Sequence, residues 1–150
     1  MTDEEKHQLN IRATSRSLPI AMLRARENIM APIRMILAQA DVTEQQWRVL
    51  RVLAENGTMD PKEIAEQACL LNPSLTRIMQ ILEKKGLIAR APDLTDRRKV
   101  RVEISETGLA LIDRVAPYSN QIFENLEAQY GKEQLDQLLD LLNALSAVEL

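Results

Sequence analysis

Residues 61–105, PKEIAEQACLLNPSLTRIMQILEKKGLIARAPDLTDRRKVRVEIS, decide the fold of this chain. Their pattern predicts two short helices, a third and a fourth along the chain, at about 61–68 and from 72 to Gly86. Two short strands, at about 87–91 and 100–104, then flank a charged loop. A helix pair followed by a basic hairpin fits duplex DNA, because one helix can lie in the major groove while the hairpin tip reaches the adjacent backbone.

Charge is distributed unevenly along the chain, whose formal net charge is −3. Residues 72–101 contain eight cations against three acids, a local net charge of +5. Residues 105–150 contain two cations against eight acids, a local net charge of −6. Because phosphate attraction depends on the face that meets DNA, a basic face on an acidic protein is sufficient for binding. Charge runs are also common on solvated surfaces, so the hairpin context carries the inference.

Composition predicts one globular domain with a largely aliphatic core, since 45% of the 150 residues are hydrophobic and only 3% are aromatic. No apolar run reaches the roughly 18–20 residues of a membrane span. The acidic start MTDEEKHQLN argues against a signal peptide. One cysteine and one histidine argue against a disulfide framework or a zinc site. We therefore expect a cytoplasmic protein without a cofactor or a metal.

A long first helix is predicted from about 15–17 to Gln39, because apolar residues recur along it at spacings of three and four. A second apolar stripe, formed by Leu23, Met30 and Leu37, repeats every seven residues. Two stripes on one helix indicate contacts both with its own core and with a partner chain. Pro32 predicts either a kink or a later start of this helix.

Capping signals place the other helices. Thr43 with Gln46 predicts a capping box at the start of the second helix, which ends near Glu55. Asp60 before Pro61, and Asn72 before Pro73, predict the starts of the third and fourth helices. Ser105 is predicted to cap a long fifth helix that runs toward Tyr130, with a kink at Pro117.

The sixth helix follows Gly131 and is rich in leucine. Its leucines at 135, 138, 142 and 145 repeat at spacings of three and four, and two more stand at 139 and 141. This apolar surface exceeds what one small domain needs to cover. It predicts a homodimer, with a monomer carrying a helical cap as the alternative.

The fourth helix is the candidate for contacting bases. Leu75, Ile78 and Leu82 would hold it on the scaffold and leave a polar face outward. Hydroxyl, amide, ammonium and guanidinium groups are those that bind base edges and phosphates. The predicted DNA-binding residues on this helix are Asn72, Ser74, Thr76, Arg77, Gln80 and Lys84. An ordinary amphipathic surface helix shows the same pattern. The helix before it and the hairpin after it are what favour DNA binding.

The loop between the strands carries three consecutive cations, Arg97, Arg98 and Lys99. Three cations at one tip repel one another unless an anion approaches, and minor-groove phosphates are a natural partner. Asp96 is placed to orient Arg98 through a bidentate pair. The alternative is a solubilising turn.

These motifs together resemble the MarR family of winged helix-turn-helix regulators. The family's wing signature stands here as DRRKVRVEIS, residues 96–105, in which Ile104 and Ser105 replace the usual Leu and Thr. TEQQWRVLRVLAENG resembles the family's second helix, and LTRIMQILEKKGLIAR its recognition helix and first wing strand. The turn Cys69-Leu70-Leu71 departs from the usual Gly and polar cap. SLPIAMLRARENIM with TEQQWRVLR resembles, more narrowly, regulators of homoprotocatechuate (4-hydroxyphenylacetate) degradation operons.

The resemblance implies a mainly α (α+β) winged helix-turn-helix fold with long N- and C-terminal dimerisation helices. It implies one MarR-like domain over 1–150, with dimerisation helices at about 17–40 and 106–150 and the DNA-binding module at about 43–105. The resemblance implies a homodimeric regulator that represses an aromatic catabolic operon and is released by a small aromatic acid. A twofold dimer would place its recognition helices ~34 Å apart on a pseudopalindromic operator.

Arginines on the first helix are candidates for holding such an acid. An arginine amid apolar neighbours needs a carboxylate, because burying a lone charge is costly. We hypothesise that Arg16 or Arg26 binds the effector carboxylate, while Met22 and Trp47 line the pocket. The alternative is a structural salt bridge to an acid such as Glu27.

Other functions remain as alternatives at this point. A winged helix can also serve as a protein-interaction module, although such a module would not need three cations at the wing tip. A response to an oxidant would require an exposed thiol of lowered pKa, whereas the apolar turn around Cys69 predicts a packed one. No arrangement of residues typical of an enzyme active site is visible. The operator, the effector and the choice between repression and activation are left open.

Overall fold

The computed structural model describes residues 10–150, which form two compact units that divide after Pro32. The acidic start on which the signal-peptide prediction rests, residues 1–9, lies outside the described residues. The first unit contains a short 3-10 helix, Thr14–Arg16. No helix in the described part of the chain combines the length and apolar character that crossing a bilayer requires.

Helix α1 spans Leu18–Gln39 and continues through Pro32, which is the last residue of the first unit. The predicted alternative of a later start is therefore wrong. A proline removes one backbone hydrogen bond from a helix, and here the helix has more than a turn on either side of it. In the second unit, Ile33 and Leu37 of α1 are buried.

The remaining elements follow the predicted order. They are α2 Glu44–Asn56, α3 Pro61–Ala68, α4 Asn72–Lys84, β1 Ile88–Pro92, β2 Val100–Ile104, α5 Glu106–Tyr130 and α6 Lys132–Ser146. Helix α5 is continuous through Pro117. The mainly α fold with a small two-stranded sheet agrees with the prediction.

Local capping bonds start α2 and α3 as predicted. Thr43 and Gln46 form both bonds of the capping box, at 3.1 Å each, between the backbone N–H of one and the side-chain oxygen of the other. The Asp60 carboxylate accepts a hydrogen bond of 2.9 Å from the N–H of Glu63. These bonds satisfy N–H groups that have no partner within the helix.

The start of α4 differs from the prediction. Asn72 is the first residue of the helix, and the capping position is Leu71, whose extended backbone provides no side-chain cap. Asn72 instead accepts a hydrogen bond of 3.1 Å at its carbonyl from the Thr76 hydroxyl. The helix can begin at Asn72, one residue earlier than predicted, because Pro73 then occupies the second helical position. The N–H that proline lacks would have no partner within the helix there.

The hairpin pairs β1 and β2 in antiparallel register, with Ile88 opposite Ile104. A further bridge joins Met59 to Val102 through two backbone hydrogen bonds of 2.8 and 2.9 Å. Val102 is fully buried, but Val100, which the alternating pattern would place on the same buried face, is 39% exposed. The reason is that the bridge from Met59 covers the hairpin at Val102 and does not extend to the end beside the loop.

One aliphatic core holds α2, α3, α4 and the hairpin together in the second unit. Its most deeply buried large side chains are Leu37, Leu50, Leu53, Met59, Ile64, Leu75 and Leu82. Helix α2 lies at the centre of this arrangement, since it contacts α3, α4, α5 and β2. The core therefore fixes α4 and the hairpin on one scaffold.

Helix α6 has no buried residue. Five of its leucines are exposed: Leu138, Leu139, Leu141, Leu142 and Leu145. Leu138, Leu142 and Leu145 recur at spacings of four and three and therefore share one face of the helix, and an exposed apolar face of this kind marks an interaction surface.

The cysteine prediction is wrong in its burial. Cys69 is exposed and adopts a left-handed conformation, φ 54°, at the C-terminus of α3. The apolar neighbours of Cys69 predicted a packed thiol. In the structure the buried residue of this turn is Ala68, the last residue of α3, and the left-handed turn at Cys69 leaves its side chain exposed.

Candidate nucleic-acid interface and effector groove

Helix α4 presents one buried face and one exposed face. Leu75, Met79 and Leu82 are buried and anchor the helix on the core, while Ile78 is half-buried. Every predicted DNA-binding residue of α4 is exposed: Asn72, Ser74, Thr76, Arg77, Gln80 and Lys84. The structure thus leaves these side chains accessible, so that they can reach a duplex.

The wing, meaning β1, β2 and the loop 93–99 between them, is organised by a carboxylate. Asp93 Oδ1 accepts hydrogen bonds from the Thr95 N–H at 2.8 Å, from the Thr95 hydroxyl at 2.7 Å and from the Asp96 N–H at 3.3 Å. Because these bonds favour the ionised form, led by the one from the Thr95 N–H, the pKa of Asp93 is lowered to about 2. Asp93 is therefore ionised at neutral pH.

Asp96 orients Arg98, as predicted. Its Oδ1 accepts the Arg98 backbone N–H at 3.0 Å and the Arg98 Nε–H at 3.2 Å. The expected bidentate geometry is wrong in detail, since a single carboxylate oxygen receives both bonds. The tight turn between the two residues brings the backbone N–H, rather than a second guanidinium nitrogen, toward the carboxylate.

Arg97 and Lys99 are exposed, and neither side chain forms an ion pair with any residue between 10 and 150. Arg77 on α4 is equally exposed and unpaired within that range. Lys99 contributes a small part of the lowering of the Asp60 pKa, whose main cause is the hydrogen bond from the Glu63 N–H.

Other cations of the 72–101 region interact with acidic or carbonyl groups of the protein itself. Arg90 pairs with Glu83. Lys85 donates to the carbonyl of Asp41 at 2.6 Å. Arg101 lies 3.8 Å from an Asp93 carboxylate oxygen. The local charge of +5 therefore overstates how many cations are free to meet DNA, because sequence alone does not reveal these pairs.

A separate groove of about 420 Å³ lies between α2 and α5 in the second unit. Its lining includes two aromatic side chains, one cation, one carboxylate and two neutral polar side chains: Trp47, Phe123, Arg51, Glu55, Ser119 and Asn120. This volume and this mixture of apolar wall and few polar groups are typical of a small-molecule site. Trp47 lines this groove, and its role toward a ligand stays a prediction.

Arg51 is a groove residue that sequence reasoning missed. Its side chain is exposed and forms no ion pair or hydrogen bond with any described residue. A usable signal was present, because Arg51 follows Trp47 by four residues and therefore lies on the same face of α2.

The other predicted ligand residues lie in the first unit. Arg16 lines a groove of about 540 Å³ formed by residues between Ile11 and Ile20. Met22 and Arg26 are exposed on α1. Their role toward a ligand stays a prediction.

Comparison with known proteins places the chain in a family. The MarR family model matches residues 42–100. The HTH-type transcriptional regulator FarR of Neisseria gonorrhoeae is 41% identical over 133 residues, which cover 89% of this chain and 91% of that protein. The homoprotocatechuate degradative operon repressor of Escherichia coli is 39% identical over 132 residues, which cover 88% and 89%. The crystal structure of NadR in complex with 4-hydroxyphenylacetate matches with a TM-score of 0.80 at 38% identity, over 99% of this chain and 100% of that chain.

These matches confirm the resemblance that the wing signature and the helix pattern predicted. They extend beyond the winged-helix module to nearly the whole chain. The recognition helix and the wing observed here are the elements with which winged helix-turn-helix proteins meet a duplex. The chain belongs to the MarR family, and it is a DNA-binding transcriptional regulator.

Proposed function

We propose that this protein is a cytoplasmic, homodimeric repressor, not an enzyme, that binds a pseudopalindromic operator and is released by a small aromatic carboxylate. The observation that carries the proposal is the joint exposure of unpaired cations on α4 and on the wing, namely Arg77, Arg97 and Lys99. Two such surfaces per dimer would meet successive turns of one face of the duplex.

The proposed contacts divide into base contacts and phosphate contacts. The first half of α4 offers hydroxyl, amide and guanidinium groups to base edges in the major groove. Lys84 and the wing cations neutralise phosphates, which fixes the register of the protein on DNA. The proposed DNA-binding residues are Asn72, Ser74, Thr76, Arg77, Gln80, Lys84, Arg97, Arg98 and Lys99.

A homodimer is supported by the uncovered leucines of α6. In water an apolar surface of this extent favours association with a self-complementary copy. We propose that helices within 17–40 and 106–150 form this interface. The module at about 43–105 then remains available for DNA.

The groove between α2 and α5 supports an aromatic carboxylate as effector. Trp47 and Phe123 provide faces for an aromatic ring, and the unpaired Arg51 guanidinium can bind a carboxylate. NadR, at 38% identity, has been crystallised with 4-hydroxyphenylacetate, which makes that compound the first effector to test. Arg16 and Arg26 of α1 remain candidates for the same carboxylate.

Release from DNA requires only that the effector binds two conformations of the dimer with different affinities. An effector that binds better to one separation of the two DNA-binding modules shifts the dimer toward that separation by its differential affinity. If that separation does not match the operator, the effector lowers DNA affinity and repression ends.

The test is fluorescence anisotropy with DNA from upstream of the protein's own gene, across a range of salt concentrations. Replacing Arg77, Arg97 and Lys99 by Ala should weaken binding and flatten the salt dependence, by roughly 0.9 units of log–log slope for each phosphate that is no longer neutralised. The control variant replaces Arg12, an exposed cation outside both the DNA-binding module and the proposed dimer interface, and should bind like the wild type. Undiminished binding by the triple variant would contradict the proposal.

A further inference from the structure

We propose that Asp93 is a positioning residue for DNA binding, which folds the wing loop into its DNA-contacting shape before DNA arrives. The inference rests on the proposed function, because it assumes that the wing cations contact DNA. Because a carboxylate and a phosphate are both anions, Asp93 would act on the shape of the loop and not by contacting DNA itself.

The first line of support is that Asp93 joins both ends of the loop. Its Oδ1 atom holds Thr95 and Asp96 through three hydrogen bonds. Its backbone N–H donates to the Lys99 carbonyl at 3.0 Å, and the Lys99 N–H donates to the Asp96 carbonyl at 3.0 Å. The carboxylate therefore fixes the segment at Thr95 and Asp96, while backbone bonds that do not depend on the Asp93 side chain close the end at Lys99.

The second line of support is that Asp93 connects the loop to the rest of the module. Its second carboxylate oxygen lies 3.8 Å from Arg101, and Arg101 donates to the Thr58 carbonyl at 3.4 Å. The Asp93 side chain is only 14% exposed, whereas the side chain of Arg98 is 92% exposed. Asp93 therefore acts from inside the hairpin, and the cations project from it.

The consequence concerns the conformational entropy of the loop. A flexible loop that carries Arg97 and Lys99 would lose conformational entropy on binding DNA, and that loss would subtract from affinity. A loop that is already ordered does not lose it at that stage. Removing the Asp93 carboxylate should therefore weaken binding.

Electrostatics alone predicts the opposite sign. Removing a carboxylate close to DNA makes the local net charge more positive, which favours phosphate binding. The direction of the change in affinity therefore separates a positioning role from a merely electrostatic one.

The experiment compares three variants with the wild type on the same upstream DNA. Asp93→Ala and Asp93→Asn remove the same charge, but the amide oxygen of Asn can still accept the Thr95 and Asp96 N–H groups. Glu103→Ala removes an exposed carboxylate from the neighbouring strand and leaves the loop bonds intact. We expect Asp93→Ala to bind more weakly than the wild type, Asp93→Asn to bind nearly as tightly as the wild type, and Glu103→Ala to bind at least as tightly.

The salt dependence adds a second measurement. A dimer whose wing loops no longer bring Arg97 and Lys99 to phosphates loses two contacts in each protomer, so the slope should fall by about 3.6 in Asp93→Ala, because each phosphate contact contributes roughly 0.9. Amide hydrogen exchange should show Thr95 and Asp96 unprotected in Asp93→Ala and protected in Asp93→Asn, while the core amides stay protected in both.

The outcomes separate the two proposals. If the wild type binds with a steep salt dependence but Asp93→Ala binds as tightly as Asp93→Asn, the positioning role is overturned and the proposed function stands. If Thr95 and Asp96 stay protected in Asp93→Ala, the positioning role is likewise overturned. If the wild type itself does not prefer its upstream DNA over random duplex, the proposed function fails, and the inference fails with it.

Discussion

Trp47 and Arg51 lie one helical turn apart on α2, and both line the groove opposite Phe123 of α5. An aromatic acid has two parts that match these residues, a ring and a carboxylate. Arg51 has no partner among the described residues, so it has no internal ion pair to break before it binds an anion. This favours Arg51 over a cation that already has a carboxylate beside it.

We predict that Arg51→Ala weakens binding of 4-hydroxyphenylacetate more than Arg16→Ala or Arg26→Ala. A hydrogen bond to a charged group contributes about 1.5–3 kcal/mol, so the dissociation constant should rise by at least about tenfold. Isothermal titration calorimetry measures it, with Arg24→Ala, an exposed arginine of α1, as the control. Unchanged affinity in all three variants would rule out each of these arginines as the carboxylate partner.

At the scale of elements, hydrogen bonds join the start of α5 to the segment between α4 and β1. The Ser105 hydroxyl accepts the Gly108 N–H at 3.0 Å and donates to the Gly86 carbonyl at 2.6 Å. The Ser105 N–H donates to the Leu87 carbonyl at 3.0 Å. These bonds bring the first turn of α5 so close to the hairpin that only a residue without a side chain fits at position 108.

Gly108→Ala is therefore predicted to destabilise the protein, although alanine usually favours a helix. A Cβ at this position would overlap the Leu87 carbonyl oxygen and a side-chain carbon of Ile104, and the backbone cannot move aside without disturbing its hydrogen bonds. We expect the free energy of unfolding to fall by about 1–3 kcal/mol, measured by urea denaturation. Thr107→Ala, at the exposed neighbouring position, should change it by less than about 0.5 kcal/mol. Equal stability of the two variants would contradict the close approach.

At the scale of the whole molecule, charge and apolar surface are separated along the chain. The unpaired cations of the DNA-binding module lie on α4 and the wing, and a cluster of exposed leucines lies on α6. This separation lets one part of the protein bind a polyanion while another part binds a second copy.

We predict that Leu138→Glu with Leu142→Glu converts the dimer to a monomer, because each glutamate would be buried without a partner in the interface. Light scattering coupled to size-exclusion chromatography measures the mass, and operator affinity should fall because two half-sites are no longer bound together. Leu94→Ser, which removes an exposed leucine of the wing loop, is the control and should remain dimeric. A wild-type mass in the double variant would place the interface elsewhere.

Much of the fold followed from the sequence alone. The starts of α2, α3 and α5 were predictable because a capping side chain bonds a backbone N–H only two or three residues away. The Asp96–Arg98 contact was predictable for the same reason, since both residues share one tight turn. The wing signature identified the family because its residues are contiguous in the chain.

The tertiary structure decided which charges and surfaces are available. Arg101 is paired because the antiparallel hairpin brings Asp93 beside it, and Lys85 is paired because packing brings Asp41 close to the end of α4. Phe123 meets Arg51 in one groove although 72 positions separate them in the chain. Local hydrogen bonds can be predicted from short stretches of sequence because donor and acceptor are only a few residues apart. Ion pairs and burial depend on residues that come together only when the core has formed.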